Sequence, residues 1–243
     1  MKKIFSILAL LLMTAVGARA QATYTATVKD GTEDAARWSA DPNPAREGQS
    51  VTIKYNGTKK VKRVTAVQKT LRSLAEATTD DRGKIVGADG NIYNTKAAAE
   101  AAYTQAVAMI AYVGSETGHS AYKHGLAIAL ADESSMEWHT AVSTCEGKNT
   151  STCVANASWM LPSKNQWEAM FYANGGRDIY YTGLNKALSA AGGDSSKLQE
   201  PTRYWTSTPW GDYAWDMVLR DGDVDWSHDR MAYESGVRAC LAF

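Results

Sequence analysis

The sequence predicts an α+β domain preceded by a small all-β module, and three observations carry that reading. Helix-type apolar spacing behind capping residues fills the middle of the chain, the apolar period changes to two after Pro201, and the first part is β-rich and cut by Pro and Asn-Gly turns. Five of the eight Trp (Trp159, Trp167, Trp205, Trp210, Trp215) crowd into about sixty residues, which points to one aromatic-rich domain near the C-terminus.

Residues 1–20 read as a signal peptide. Lys2 and Lys3 precede an apolar run from Ile4 to Val16, and Ala18-Arg19-Ala20 offers small residues around a cleavage site, so the mature chain is expected to start at Gln21. No Cys follows the run within the signal, so no lipid anchor is expected, and no later stretch approaches the ~20 apolar residues of a spanning helix. A secreted or cell-surface protein without a membrane span is the expectation.

Residues 21–70 read as the small β module. Tyr24, Thr25, Thr27 and Val28 form one β-rich segment, Val51, Ile53 and Tyr55 alternate with polar residues, and Val61, Val64 and Val67 make a third. Asp41-Pro42-Asn43-Pro44 cannot continue a ladder, and Asn56-Gly57 is a strong hairpin signal. Residues 71–83, with Thr78, Thr79, Asp80 and Asp81, read as a linker.

Residues 84–243 read as the second domain. Lys84, Ile85 and Val86 lead through Ala88-Asp89-Gly90-Asn91 to Ile92-Tyr93 as a hairpin, and Thr95 is placed to cap an Ala-rich helix from Ala97 to Ala106. Val107 to Tyr112 reads as a strand that Gly114 ends, and Leu126, Ile128 and Leu130 as another. Ser134 to Glu137 fits a capping box ahead of Trp138, Ala141, Val142 and Cys145, whose spacing puts all four on one helix face. Ser163 to Gln166 fits a second ahead of Trp167, Met170 and Phe171, with Gly175-Gly176 as a left-handed stop. Thr182 is expected to cap a short helix carrying Leu184, Ala187, Leu188 and Ala191. From Tyr204 on, strands joined by turns such as Asp221-Gly222 predict a closing antiparallel meander that runs to Phe243.

Composition excludes several functions. Lysines and arginines number 26 against 26 acids, and without Lys2, Lys3 and Arg19 of the leader the bases fall to 23. The one basic cluster, Lys59, Lys60, Lys62 and Arg63, lies in a strand-like stretch, so a nucleic-acid partner is not expected. Asp221, Asp223 and Asp225 resemble the start of a calcium loop, but Trp226 and Ala232 stand where it needs Gly and Glu. His119 and His124 sit in a Gly/Ser loop at a spacing that suits no helix face, so loop hydrogen bonding is expected rather than zinc. No nucleophile elbow, phosphate loop or paired-carboxylate cleft is present, which predicts a protein that is not an enzyme and needs no cofactor. Cys145, Cys153 and Cys240 permit three alternative single disulfides.

The order of motifs resembles a known family. The Trp138–Cys145 helix, Trp159-Met160-Leu161-Pro162-Ser163 leading into the Gln166-Trp167 helix, Tyr204-Trp205-Thr206-Ser207-Thr208, and the closing Val237-Arg238-Ala239-Cys240-Leu241-Ala242-Phe243 are similar to secreted bacterial C-type-lectin-like domains. These include the Fibrobacter succinogenes major paralogous domain and the variable proteins of diversity-generating retroelements in gut Bacteroidetes. The resemblance implies a disulfide from the first helix to the last strand, Cys145 with Cys240. The Pro-containing triplets that hold calcium in animal lectins are absent. It also implies a variable ligand surface on the C-terminal strands, facing a protein or glycan at a cell surface.

In this chain that surface maps to Trp210, Asp212, Tyr213, Asp216, Val218, Arg220, Asp221, Asp223, Asp225, Trp226, Ser227, His228, Asp229, Arg230 and Tyr233. They mix donors, acceptors and flat amphipathic rings, the palette of adaptable binding surfaces. Alternation predicts that Asp216, Val218 and Arg220 face the ligand while Trp215, Met217 and Leu219 face inward, with Trp159, Trp167, Trp205 and Trp215 as core aromatics. Two rival roles remain at this stage: a structural or tip subunit of an extracellular appendage, and an oxidase resembling formylglycine-generating enzymes. Cys240 has no close cysteine partner in sequence for the latter.

Overall fold

The computed structural model describes residues 71–102, 104–176, 180–200 and 202–243, with the backbone of six strands before residue 71. The chain divides into two units, residues 1–71 with 101–103, and residues 72–100 with 104–243.

In the first unit β1 (Phe5–Ile7), β2 (Thr23–Ala26), β3 (Trp38–Asp41), β4 (Ala45–Arg46), β5 (Val51–Tyr55) and β6 (Ala66–Lys69) make two antiparallel sheets, ordered β1-β5-β3 and β4-β2-β6. The strands expected around Tyr24, Ile53 and Val67 are present, and β1 falls within the leader-like stretch. Thr27, Val28, Val61, Val64, the Pro42-Asn43-Pro44 and Asn56-Gly57 turns, the basic cluster and the Ala18-Arg19-Ala20 site lie outside the described residues.

The second unit is α+β. A six-stranded antiparallel sheet contains β7 (Ile85–Gly87), β8 (Ile92–Tyr93), β9 (Ala106–Val113), β10 (Gly125–Ala129), β12 (Ser158–Met160) and β17 (Cys240–Ala242), in the order β12-β17-β10-β9-β7-β8. A five-stranded sheet contains β11 (Glu133–Met136), β13 (Thr202–Trp210), β14 (Tyr213–Arg220), β15 (Asp223–Arg230) and β16 (Ser235–Val237), in the order β11-β16-β13-β14-β15. The described helices are α1 (Lys96–Ala101), α2 (Trp138–Ser151), α3 (Lys164–Ala173) and α4 (Thr182–Gly192).

Both faces of the six-stranded sheet are covered, which is why β10 reads as an unbroken apolar run and is buried at every position. On one face Ala127, Ile110, Leu241 and Trp159 pack with Ala141 and Cys145 of α2 and with Trp205 and Val237 of the other sheet. On the opposite face Met109, Leu126, Ile128 and Cys240 pack with Trp167 and Phe171 of α3, Leu184 and Leu188 of α4, and Tyr204, Met217 and Leu219. Trp159, Trp167 and Trp205 are fully buried, as expected of core aromatics.

The Ser163 capping box forms as expected: Gln166 N–H donates to Ser163 Oγ at 3.3 Å, and Ser163 N–H to Gln166 Oε1 at 2.6 Å. Thr95 Oγ1 accepts from Ala98 N–H at the start of α1, which ends at Ala101 rather than Ala106. The Ser134 box does not form. Ser134 belongs to β11, whose backbone pairs with β16, and α2 starts later, with Glu137 itself at its N-cap and no side-chain cap. The stretch from residue 72 to 83 brings Leu74, Ala77 and Asp81 into the interior of this unit.

The closing meander also differs. β13, β14 and β15 are antiparallel neighbours, but β16 lies parallel to β13, and β17 crosses to the other sheet, between β12 and β10. Residues 238 and 239 make that crossing, and buried Arg238 anchors it by donating to Ala129 O (2.9 Å), Ser196 O (3.0 Å), Lys197 O (3.2 Å) and the Asp132 carboxylate.

The expected Cys145–Cys240 disulfide is corrected: both are buried free thiols, and Cys153 is an exposed one. The reason is strand alternation. Leu241 points toward α2, so Cys240 points to the α3–α4 side, across the sheet from Cys145.

Candidate functional site

The β13–β14–β15 meander positions the proposed ligand residues, and its register follows from one turn. Asp221 (φ 53) and Gly222 (φ 92) are both left-handed, the I′ geometry that matches strand twist and that Gly adopts without strain. A two-residue turn fixes every pair behind it, from Arg220 opposite Asp223 back to Tyr213 opposite Arg230.

Directly opposed residues share a face, so one face carries Tyr213, Trp215, Met217 and Leu219 with Arg230, His228, Trp226 and Val224. Its inner half is core: Met217, Leu219 and Val224 are buried against α3 and α4. Its outer half is open. Trp210 pairs with Tyr213, and the His228 ring lies edge-on to Trp210 at 4.1 Å, with Tyr213 at 5.7 Å and Trp215 at 6.0 Å. Trp210 is 52% exposed and Tyr233, after the end of β15, 53%. Arg230 is exposed and lies directly opposite Tyr213 on the neighbouring strand.

Trp215 is therefore not a core aromatic. It is half-buried at the rim, with the Lys164 ammonium 4.5 Å above its ring and 5.2 Å from that of Trp226. Lys164 is held there by a bulge. Three residues of β13, 206 to 208, stand against the single Trp215. In the bulge Ser207 N–H donates to Pro162 O at 2.9 Å, and Thr208 Oγ1 accepts from Lys164 N–H at 3.1 Å, which pins the start of α3 beside β14. Trp138 Nε1–H donates to Thr206 O at 2.7 Å from the other side.

The other face of the meander carries Asp216, Val218 and Arg220 with Arg203, Asp223, Asp225, Ser227 and Asp229. Arg220, Asp221 and Asp225 are exposed, whereas Val218, Asp223, Ser227 and Asp229 are half-buried. Asp212 is exposed in the turn between β13 and β14.

Asp216 is corrected as a ligand contact. It is fully buried, because the neighbouring Ala214 and Trp205 lie under Val237 and the β11 end of the sheet, and its Oδ2 accepts from Arg203 Nη1 at 2.8 Å. Burial pushes its carboxyl above the ordinary range, with the Arg203 hydrogen bond pulling the other way. The open aromatic end, with His228 and Arg230, and the exposed Arg220 and Asp225 are thus on opposite faces of one three-stranded ribbon, rather than on one surface.

Sequence reasoning missed Lys164, Arg203 and the rim position of Trp215. The cross-strand contact of Trp215 with His228 was open to inference, since the Asp221-Gly222 turn dictates it; Lys164 and Arg203 had no such signal. His119 and His124 are used in loops, His119 Nδ1 accepting from Ala121 and Tyr122 N–H and His124 Nε2 bonding Ala77 O at 2.7 Å.

Among solved structures the chain is similar to a fimbrial protein from Bacteroides ovatus ATCC 8483, at 11% identity and a TM-score of 0.43, over 91% of this chain and 64% of that one. The chain thus spans less than two thirds of that protein's length. No protein-family model and no curated protein matches it. No described helix is long and apolar enough to cross a membrane.

Proposed function

We propose that this is an exported, non-catalytic ligand-binding protein of the C-type-lectin-like kind, which grips a macromolecule at a cell surface with the outer end of its β13–β14–β15 meander. The observation that carries the reading is the open cluster of Trp210, Tyr213, Trp215 and His228, rings in mutual contact on a strand framework whose other end is locked in the core. Exposed aromatic clusters rimmed by polar groups mark interaction sites, and Trp and Tyr dominate binding energy where they occur. The exposed Arg220, Asp221 and Asp225 extend the surface onto the second face, where a change at any of these three positions would leave the core untouched.

Thiol chemistry of the oxidase kind is disfavoured by the environment of two cysteines. Burial pushes the Cys145 thiol up to about 12, and burial raises Cys240 well above its ordinary value, whereas reactivity needs the thiolate.

The test is a combined glycan and protein array probed with the purified chain and with a variant carrying Trp210, Arg220, Asp225 and His228 changed to Ala. The reading expects loss of the array signal in the variant. Unchanged binding by the variant, or co-assembly into filaments as its sole interaction, rejects it in favour of an appendage subunit.

A further inference from the structure

We propose that the outer edge of β15 docks an extended segment of a partner polypeptide as a further strand, one with Lys or Arg at alternate positions and apolar side chains between them. This edge is separate from the aromatic face and does not depend on it. The edges of the two sheets in the second unit are unequal. β8, β12 and β11 have two, three and four residues, and the register of β11 is broken. β15 runs for eight residues, pairs with β14 without a register shift and contains no Pro. Short strands, bulges and Pro are the usual protection of an edge, so among the described edges of these sheets β15 alone is left fit for pairing.

The turn before β15 decides which backbone groups are open. Asp221-Gly222 closes on the Arg220–Asp223 pair, so Asp223, Asp225, Ser227 and Asp229 bond to β14, whereas Val224, Trp226, His228 and Arg230 turn their N–H and C=O outward. Both ends of that outward row are occupied. Tyr180 bridges to Asp223, Arg230 N–H donates to Asp229 Oδ1 at 2.8 Å, and Arg230 O accepts from Tyr233 N–H at 2.9 Å. Between them, the outward groups of Trp226 and His228 have no partner among the described residues. Another polypeptide strand repeats N–H and C=O at the spacing these groups require.

Charge selects the segment. Arg220 stands opposite Asp223, but Val218 and Ala214 stand opposite Asp225 and Asp229. Arg203, which feels Asp229, is already bound to Asp216. An added strand sets alternate side chains directly beside Asp225 and Asp229, where cations fit. Its intervening side chains fall beside Val224 and Trp226, in line with the core residues Met217 and Tyr204. A second copy of β15 does not fit: of the two-fold registers with the longest overlap, the one centred on Trp226 sets Asp223 against Asp229, and the one centred on Ser227 sets Asp225 against Asp229.

Fluorescence anisotropy of a labelled peptide of alternating Lys and Val, titrated with the full chain at low salt, tests this, with amide hydrogen exchange as a second readout. The peptide should bind and protect the Trp226 and His228 amides. A Glu–Val peptide and the Lys–Val peptide N-methylated on its Val residues should both fail to bind, and Asp225→Lys should weaken Lys–Val binding about tenfold. Lys186→Ala on α4 and Trp210→Ala should leave it unchanged. Absence of binding, equal binding of the N-methylated peptide, protection confined to amides outside β15, or binding lost on Trp210→Ala but kept in Asp225→Lys overturns the proposal. Such a failure leaves the aromatic surface standing, because that surface is read by its own array variant.

Discussion

Asp216 is sealed from solvent while its partner Arg203 keeps 46% of its side chain exposed, the two joined at 2.8 Å across neighbouring strands of the meander. The pair is lopsided: the anion carries the desolvation, and the cation reaches in from water to compensate it.

That asymmetry sets a pH dependence. Burial raises the Asp216 carboxyl above the ordinary value of about 3.9. A carboxyl raised in the folded state contributes its stability in full below the unfolded value, and that contribution is lost as pH rises through the folded value. Urea unfolding followed as pH rises from about 4 should show a falling component that Asp216→Asn removes. Arg203→Ala should steepen it and cost about 2 kcal/mol at neutral pH. An unchanged slope in both variants would contradict the arrangement.

Asp81 behaves in the opposite sense. Burial alone would raise its carboxyl, but hydrogen bonds from Lys84 Nζ (2.8 Å), Thr78 N–H (2.8 Å) and Thr78 Oγ1 (3.1 Å) outweigh it and bring the value down to about 2. Its contribution is present above about pH 4 and lost as pH falls toward 2. Asp81→Asn should cost about 2 kcal/mol at pH 7 and flatten the acid limb of a stability–pH curve.

Arg238 and Tyr204 share Asp132. Tyr204 Oη donates to Asp132 Oδ2 at 2.8 Å and accepts from Gln199 N–H at 3.0 Å, while Arg238 pairs with the other carboxylate oxygen. Tyr204→Phe should cost about 1–2 kcal/mol, whereas Arg238→Ala, which strands three carbonyls and a carboxylate, should cost about 3–5 kcal/mol. Chemical denaturation measures both, and equal costs would refute the ranking.

The cysteines predict a labelling pattern. Iodoacetamide should modify Cys153 in the native chain and reach Cys145 and Cys240 only in denaturant, with a melting temperature indifferent to reductant. A Cys145–Cys240 crosslink in a non-reduced peptide map would overturn the placement of the two thiols on opposite sides of the sheet.

Much of the second unit was legible because its signals are local. The Ser163 capping box, the Trp138–Cys145 helix face and the Asp221-Gly222 turn each need only a few neighbouring residues to act, and each forms. The Ser134 box satisfies the same local rule and fails, since pairing of β11 with β16, a hundred residues later in the chain, claims its backbone first. The binding surface was half legible: its residues were named, but their division between an aromatic face and a polar face required the register, and Asp216 required knowledge of what lies above it.

From its own residues the sequence determines an α+β chain with aromatic-rich closing strands and the cross-strand pairs of their hairpin, because periodicity and turn geometry act over a few residues. Tertiary structure alone decides what covers each strand. In β14 consecutive residues, Asp216 and Met217, are both buried because different layers meet the two faces, and Trp215 beside them stays at the rim because the β13 bulge brings Lys164 there instead of core. Alternation says which side a residue takes; burial depends on what arrives at that side from elsewhere in the chain.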